Sequence, residues 1–591
     1  MKFLVKDGAD DQYLFAKDPV EVISAHTVDE VLTALERAEK LQADGFYLAG
    51  WISYEASPAF DKRHVVNSGS EDLPLVYFQA AKKVDRVSLD DLNFVKESIS
   101  FAEITHTVSE EEYISSCSKV LDYIKEGDIY QVNYSFRCQF NLPVDPLVLF
   151  TIVEKQHPVP HSFFIDSGKW QVLSHSPELF LSKEGRHLES QPMKGTVKRA
   201  VDFSGDEKLR EELTLDDKSR AENVMIVDLM RNDLSRICEL NSVKVPDLFI
   251  ATRYASLHQL TSTVTGVLKE SVGFVDILKA TFPAGSITGA PKIRSMEIIS
   301  ELEKDGRGLY TGSAGVLKPG GDFSFNVCIR TIVVKDQMAT IGIGSGVVAD
   351  SAQNLEWQEC LLKSEFINFR RQHNEIFETM LWTSGEIIYL EDHLQRLKNS
   401  CEYFSVPYFE DEIRLIIDSQ NLERQNYRLR LSIDVEGNPK LDSVPINKGW
   451  GKDKLKIVLS ESKLNTKDPY LYHKTDCRGL YNKEFKLAQE KGYDEAIYLN
   501  EKGELCEGAI SNIFLKVSGV WKTPSLKSGL LPGTWRKNKI DDLKAVETTL
   551  TVEDVKSAEA VMIGNSVRQG GEVVQIVSGL YEPRVDLFLM K

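Results

Sequence analysis

A chain of 591 residues is too long to close around one hydrophobic core, and the pattern of this one breaks near residue 371. There the polar run INFRRQHNEIF parts an amphipathic helical stretch, Asp350–Phe369, from a fresh β pattern that begins at IFETMLW. The break predicts two domains, residues 1–370 and 371–591. The second is large enough for two lobes of its own. Early in the first, β-rich runs (FYLAGWISYEA, LPLVYFQAA) flank a helix around Val28–Ala43. Ser109 and Glu112 form a capping box that opens a helix with Ile114, Cys117, Val120, Leu121 and Ile124 on its apolar face. Gly127 ends that helix, and IYQVNYSFRCQF then alternates as a strand. Thr288-Gly289-Ala290-Pro291 starts another helix, with Pro291 suited to its first turn.

Charge and cysteine usage narrow the partners. A net charge of −18 argues against nucleic acid or an anionic membrane, and an anionic substrate would need local Arg, Lys or metal charge. The opening MKFLVKDGADDQ is too short in apolar residues for a signal peptide, and no run reaches the ~20 needed to span a membrane. The eight cysteines are scattered without a CxxC pair, which predicts reduced thiols in a cytoplasm, with no disulfide framework and no zinc site.

Chemistry concentrates in a few segments. QPMKGTVKR holds Lys194 in a Pro/Gly-bounded turn, where a lysine is ordinarily solvated but becomes a nucleophile if its pKa is depressed. SHSPELF places Glu178 sixteen positions earlier. AENVMIVDLMRNDLSRI puts Glu222 on a helix, and FPAGSITGAPK feeds small residues into a helix N-terminus that attracts anions. NVCIRTI, GIGSGVVADS and LEWQECLLK add an arginine, a glycine-rich strand end and a helix with Glu356, Glu359 and Lys363 on one face. Singly, each has a bland reading as a solvated helix face or a tight β connection.

Together, and with GDIYQVNYS, SLHQLTSTV and YTGSAG, they resemble the chorismate-utilising enzymes over residues 1 to about 368, with a chorismate-binding core of about 107–368. The resemblance implies an α/β sandwich of mixed α+β character. The anthranilate synthases of that superfamily carry alanine where this chain has Lys194. The water-adding isochorismate-type enzymes carry a general-base lysine near Gln131. Lysine in the PxKGT segment with none in that strand resembles aminodeoxychorismate synthase component I. The resemblance implies that Lys194 attacks ring carbon 2 while Glu178 protonates the departing 4-hydroxyl, and that ammonia then replaces the lysine at carbon 4. It assigns Mg²⁺ to Glu222 and Glu359, with Glu356 beside them. Arg330, Tyr310 and the backbone of Gly344, Ser345 and Gly346 take the enolpyruvyl carboxylate, and His258 and Thr288 line the ring. No cysteine sits on the G-x-C-x-G elbow of a triad glutaminase, so ammonia is expected from a separate glutamine amidotransferase subunit, with free ammonia as the alternative.

The tail carries a second set: IFETML, EDHLQRLKNS, YHKTDCRGLYN, ELCEGAISNIFL, LLPGTWRK and IGNSV. As a set it resembles the fold-type-IV pyridoxal-phosphate enzymes, a two-subdomain fold found in branched-chain and D-amino acid aminotransferases and in aminodeoxychorismate lyase. Lys474 matches the lysine that binds pyridoxal 5′-phosphate, Glu507 the acid beside the pyridine nitrogen, and Arg396, Thr534 and Ser566 the phosphate cup. Relatives of this fold imply a homodimer through the tail. The fusion implies a joint route from chorismate to 4-aminobenzoate and pyruvate. The alternatives are an aminotransferase tail, an anthranilate synthase-like first domain, and a docking protein with decayed sites.

Overall fold

A computed structural model of the chain describes residues 1–8, 12–69, 73–92, 104–367, 373–420, 422–423, 425–446, 449–450, 454–581 and 585–590. Two compact units emerge: Met1–Arg199 with Arg210–Arg370, and Ala200–Leu209 with Arg371–Lys591. The break expected near 371 lies within 368–372, outside the described residues. That residues 200–209 belong with the tail was not expected from the sequence. They do so because Val201 packs on the tail's cluster around Tyr472, Tyr481 and Tyr498, and Tyr403 donates its hydroxyl to the Ala200 carbonyl at 2.8 Å.

The first unit is the expected sandwich. Its described strands form two ten-stranded sheets with antiparallel pairing throughout. One runs through Lys2–Lys6, His161–Asp166, Gln171–Ser176, Thr331–Lys335, Met338–Val348 and Gln131–Asn141. The other runs through Met193–Lys198, Leu257–Val267, His187–Gln191, Leu179–Glu184, Phe323–Val327, Ser313–Leu317 and Tyr47–Ile52. Phe3, Ile165 and Val172 of the first sheet meet Trp51, Tyr77 and Val316 of the second in one apolar layer. Alternation puts those side chains inward, and burying such rings contributes roughly 1.5–3 kcal/mol each.

Helices cover the outer faces. Glu110–Glu126 has the capping box of Ser109 and Glu112 and ends at Gly127 (φ +86°), and Tyr113, Cys117 and Val120 are buried on its inner face. Val28–Ala43, Asp217–Ser235 and Phe274–Thr281 cover the second sheet through Leu35, Ile226, Met230 and Leu278. The helix expected over 350–369 is shorter, Gln353–Ser364, and tightens into a 3-10 turn at Glu365–Ile367. Pro291 stands just ahead of the helix Lys292–Leu302, one position earlier than expected.

The second unit has two lobes. A four-stranded antiparallel sheet containing Glu375–Thr383 and Tyr427–Asp434 packs on the helices Leu390–Tyr403 and Glu410–Asp418. A nine-stranded mixed sheet follows, in which Lys454–Leu464 runs parallel to Glu495–Asn500 and to Gln569–Ser578. The eight cysteines are free, and all but Cys477 are buried. Among the described residues no helix is long and apolar enough to cross a membrane.

Candidate active sites

Lys194 does not sit in a solvated turn. It lies on the strand Met193–Lys198, opposite Leu260, at an irregularity in register between Lys194 and Thr196. Gly195 takes φ +77° there, a conformation that a residue with a β-carbon rarely adopts. The strand ladder therefore bulges at the lysine and re-aims its side chain. The amine is half-buried, and burial drives its pKa down against the opposing pull of Glu222, Glu178 and Glu359; Lys363 adds to the lowering.

Glu178 follows the Ser-Pro turn at the head of the strand Leu179–Glu184 and is buried. Burial pushes its carboxyl up to about 7, while the Ser286 hydroxyl, the Lys194 charge and the Met193 N–H hold it from going higher. A carboxyl at that value is protonated about half the time near neutral pH, and so is fit to be a general acid. Ser286 comes from the FPAGSITGAPK segment, which brings that segment to Glu178. The segment is fixed from behind, because Lys292 Nζ donates to Asp233 at 3.0 Å and to the Thr281 carbonyl at 3.1 Å. The RND cluster is thus a structural anchor for the turn.

Three carboxylates were expected at a metal. Glu222 and Glu359 are half-buried and share the neighbourhood of Lys194; burial first, then the charges of Glu356 and Glu359, raise the Glu222 pKa. Lys218 stands 4.0 Å from Glu222, and Lys363 pairs with Glu359 at 2.7 Å. Glu356 is buried and accepts the Ser351 hydroxyl at 2.6 Å. Among the described residues no three His, Cys, Asp or Glu side chains converge on one point. Glu222 and Glu359, both within electrostatic reach of Lys194, nonetheless offer the hard oxygen donors that suit Mg²⁺ with waters completing its shell.

The residues expected to bind the anion are Arg330, Tyr310 and the backbone of Gly344–Gly346. Arg330 is half-buried and held in the left-handed region at φ +47°. Tyr310 is buried, with the Arg137 guanidinium 5.2 Å from its ring, and a β-carbon at Gly342 would strike that ring at 2.1 Å. Lys363, which the sequence placed on a helix face with no assigned task, donates to the Gly344 carbonyl at 3.0 Å and so belongs to this site. The Ser345 hydroxyl bonds Tyr113 at 2.8 Å, away from the lysine, which leaves Ser345 only its backbone for a ligand. Thr288 Oγ bonds back to the carbonyls of Ala284 and Gly285, while its own carbonyl accepts from Asn133 N. His258 is fully buried opposite Val197. Gln131 is also fully buried and, among the described residues, has no hydrogen-bond partner for either side-chain polar atom, an arrangement that a bound ligand would repair.

The tail site is built alike. Lys474 follows the loop onto which Phe377 N donates, 2.9 Å from the lysine's carbonyl, and the Phe377 ring lies 5.0 Å from Nζ. Burial and the charges of Arg478 and Arg396 bring its amine down to about 7. Glu507 is buried and rises to about 7 through burial, opposed by Arg478, the Tyr481 hydroxyl at 3.0 Å and Leu531 N at 3.1 Å. Arg396 is gripped in a fork by Glu378 at 2.7 and 2.6 Å and donates to the Pro532 carbonyl at 2.9 Å. Its Nη1 therefore stands near the start of the helix Thr534–Leu543, whose first N–H groups attract phosphate. Thr534 Oγ meets His393 Nε2 at 3.1 Å, and Ser566 donates to the Thr379 carbonyl at 3.0 Å. Arg430, a further basic residue of this lobe, is paired with Glu375 at 2.5 Å and lies on Phe377. Arg478 and Tyr481 were not singled out by sequence, although both lie within seven residues of Lys474.

Two centres of this kind, each an amine with a lowered pKa beside a carboxyl that can hold a proton, define a two-site enzyme. The family model described as chorismate binding enzyme matches residues 2–368, more than half the chain, and the chain belongs to that family. A second model, amino-transferase class IV, matches residues 375–576. Anthranilate synthase component 1 of Aquifex aeolicus is 36% identical over 284 residues, 48% of this chain and 58% of that relative. Aminodeoxychorismate synthase component 1 of Bacillus subtilis is 40% identical over 256 residues, 43% of this chain and 54% of that relative. The chain thus spans little more than half the length of these relatives. The solved structure of anthranilate synthase component I from Streptococcus pneumoniae shares the fold, with a TM-score of 0.54 at 24% identity over 62% of this chain and 92% of that one.

Proposed function

We propose that residues 1–370 aminate chorismate at carbon 4 and that residues 371–591 release pyruvate from the product to give 4-aminobenzoate. The observation that carries the first half is Lys194. Relatives bearing both the 2-aminating and the 4-aminating name match this chain, and the sequence resemblance separates them at this position. Here the position holds an amine whose ammonium form burial disfavours, beside a Glu178 carboxyl that is protonatable at neutral pH.

In this reading the Lys194 amine forms a bond to ring carbon 2 as the ring double bonds shift and the carbon–oxygen bond at carbon 4 breaks. Glu178 delivers the proton that lets the hydroxyl leave as water. Ammonia then bonds to carbon 4, the double bonds shift back and the lysine departs, so the net change replaces a hydroxyl by an amino group. Arg330 and the backbone of Gly344–Gly346 hold the enolpyruvyl carboxylate, and Tyr310 closes that side. Glu222 and Glu359 would hold Mg²⁺, which when bound neutralises the ring carboxylate. Ammonia comes from a separate glutamine amidotransferase.

In the tail, the Lys474 amine, the protonatable Glu507 and the Arg396 fork at a helix N-terminus fit pyridoxal 5′-phosphate. When bound, that cofactor supplies an electron sink. Lys474, at about 7, carries the ring proton away from carbon 4, and Glu507 keeps a proton at the pyridine nitrogen. The test is product identity. The purified chain with chorismate, an ammonium salt, Mg²⁺ and pyridoxal phosphate yields 4-aminobenzoate and pyruvate by mass and fluorescence; anthranilate instead overturns the reading of Lys194.

A further inference from the structure

Arg330 meets a ring and not a carboxylate. Its backbone is held in the left-handed region, and no described carboxylate pairs with it. The neighbour that meets it is Tyr254, whose ring centre lies 5.7 Å from the guanidinium carbon. Tyr254 stands at the turn between the strands Lys244–Arg253 and Leu257–Val267, pinned on both sides of its peptide. Its N–H donates to the Leu257 carbonyl at 2.9 Å, and its carbonyl accepts Arg199 Nη1 at 3.0 Å. The ring is buried in a small cluster with Val159, Met193 and Leu257. Met193 immediately precedes Lys194, and its N–H reaches Glu178. One aromatic ring thus packs on the nucleophile's strand and also faces the arginine.

We propose that Tyr254 is a positioning residue of the anion site, its ring face holding Arg330 by cation–π attraction while leaving the guanidinium N–H groups free for a substrate carboxylate. An acidic partner in that place would hold the arginine equally well, but it would occupy those donors and cancel the charge. A ring face attracts the cation without accepting its hydrogen bonds. The phenol hydroxyl has no hydrogen-bond partner among the described residues, so the ring and not the hydroxyl makes the contact. The pKa of the phenol is raised, first by burial, which keeps it neutral at physiological pH. The proposal rests on the chorismate reading above and adds to it the element that fixes the carboxylate-binding arginine.

The test is steady-state amination by the full chain at saturating ammonium. Tyr254→Leu raises the KM for chorismate about tenfold and leaves kcat within about threefold, because ground-state and transition-state binding lose the same contact. Tyr254→Phe stays within about twofold of wild type, since it keeps the ring face. In an Arg330→Ala background, Tyr254→Leu changes KM by less than about twofold. Urea unfolding with the wild-type midpoint reports that each variant is folded. Equal losses in the Phe and Leu variants, or a fall in kcat at unchanged KM, overturn the role of Tyr254 alone. A wild-type chain that neither binds nor consumes chorismate overturns the functional reading, and this proposal with it.

Discussion

Gly346 and Lys194 approach so closely that a β-carbon on the glycine would stand 3.3 Å from the lysine Nζ and 2.4 Å from Nε2 of Gln131. The glycine-rich end of the strand Met338–Val348 is therefore a matter of space, and it lets an amine and a buried amide meet one strand. Gly346→Ala displaces one or both. Its effect is expected on the order of 10²-fold in kcat for amination, with pyruvate release by the tail unchanged. A rate within a factor of two of wild type would show that Gln131 and Lys194 move aside freely.

In the proposed amination, Glu178 is expected to set the alkaline limit. Its active form is protonated and its pKa is about 7, so kcat/KM for amination falls as pH rises through about 7. Lys194 acts as the free amine, and its lowered pKa brings the opposing limb down from the usual lysine range. Glu178→Gln cannot release a proton and loses roughly 10²–10⁴-fold in rate. A pH series of initial rates in wild type and variant checks both statements. A wild-type profile flat from pH 6 to 9 would remove Glu178 as the acid.

Glu378 ties the small lobe of the tail together, receiving Arg396 in a fork and His393 Nδ1 at 2.6 Å. Although burial raises its pKa, Arg396 and His393 more than offset that and bring it down to about 2. A folded-state pKa below the unfolded value gives stability that is present above about pH 4.5 and is lost as pH falls toward 2. Glu378→Gln removes on the order of 3 kcal/mol at pH 7, because it leaves a buried guanidinium unpaired. Urea unfolding of both proteins at pH 7 and at pH 3 should show the difference shrinking at the lower pH.

Much of this was legible in the sequence because it rests on local chemistry. The box of Ser109 and Glu112 and the Gly127 stop are local signals and appear as read; the strand at 131–141 also forms, but its first eight residues are all buried where alternation was expected, because both of its faces are covered. Motif order singled out Glu178, Glu222 and Glu359, each of which lies within electrostatic reach of Lys194. What sequence could not show depends on contacts between distant strands. Lys194 looked like a turn residue because Pro192 and Gly195 bracket it, yet pairing with Leu257–Val267 draws it into a bulged strand. The Ser345 hydroxyl meets that of Tyr113, 232 residues away, a contact no local pattern announces. The membership of residues 200–209 in the tail unit depends on tertiary packing, for which no periodicity exists.

Lys474 separates the two chemistries cleanly. Its amine is lowered to about 7, first by burial and then by Arg478 and Arg396, so it is substantially unprotonated at neutral pH and ready to bond a cofactor aldehyde. Protein loaded with pyridoxal phosphate is expected to be yellow, and borohydride should fix the cofactor on the peptide that carries Lys474. Lys474→Ala should bind the cofactor without that covalent link and release no pyruvate, while amination of chorismate proceeds at the wild-type rate. 4-Amino-4-deoxychorismate then accumulates in place of 4-aminobenzoate, which mass spectrometry resolves. Continued pyruvate release by the variant would place the proton transfer on another group. Loss of amination together with pyruvate release would instead show that the two centres are not independent. Arg478→Met, which removes one of the charges that lower the amine, should raise the pH at which the unloaded protein takes up pyridoxal phosphate fastest, since the free lysine then returns toward its usual range.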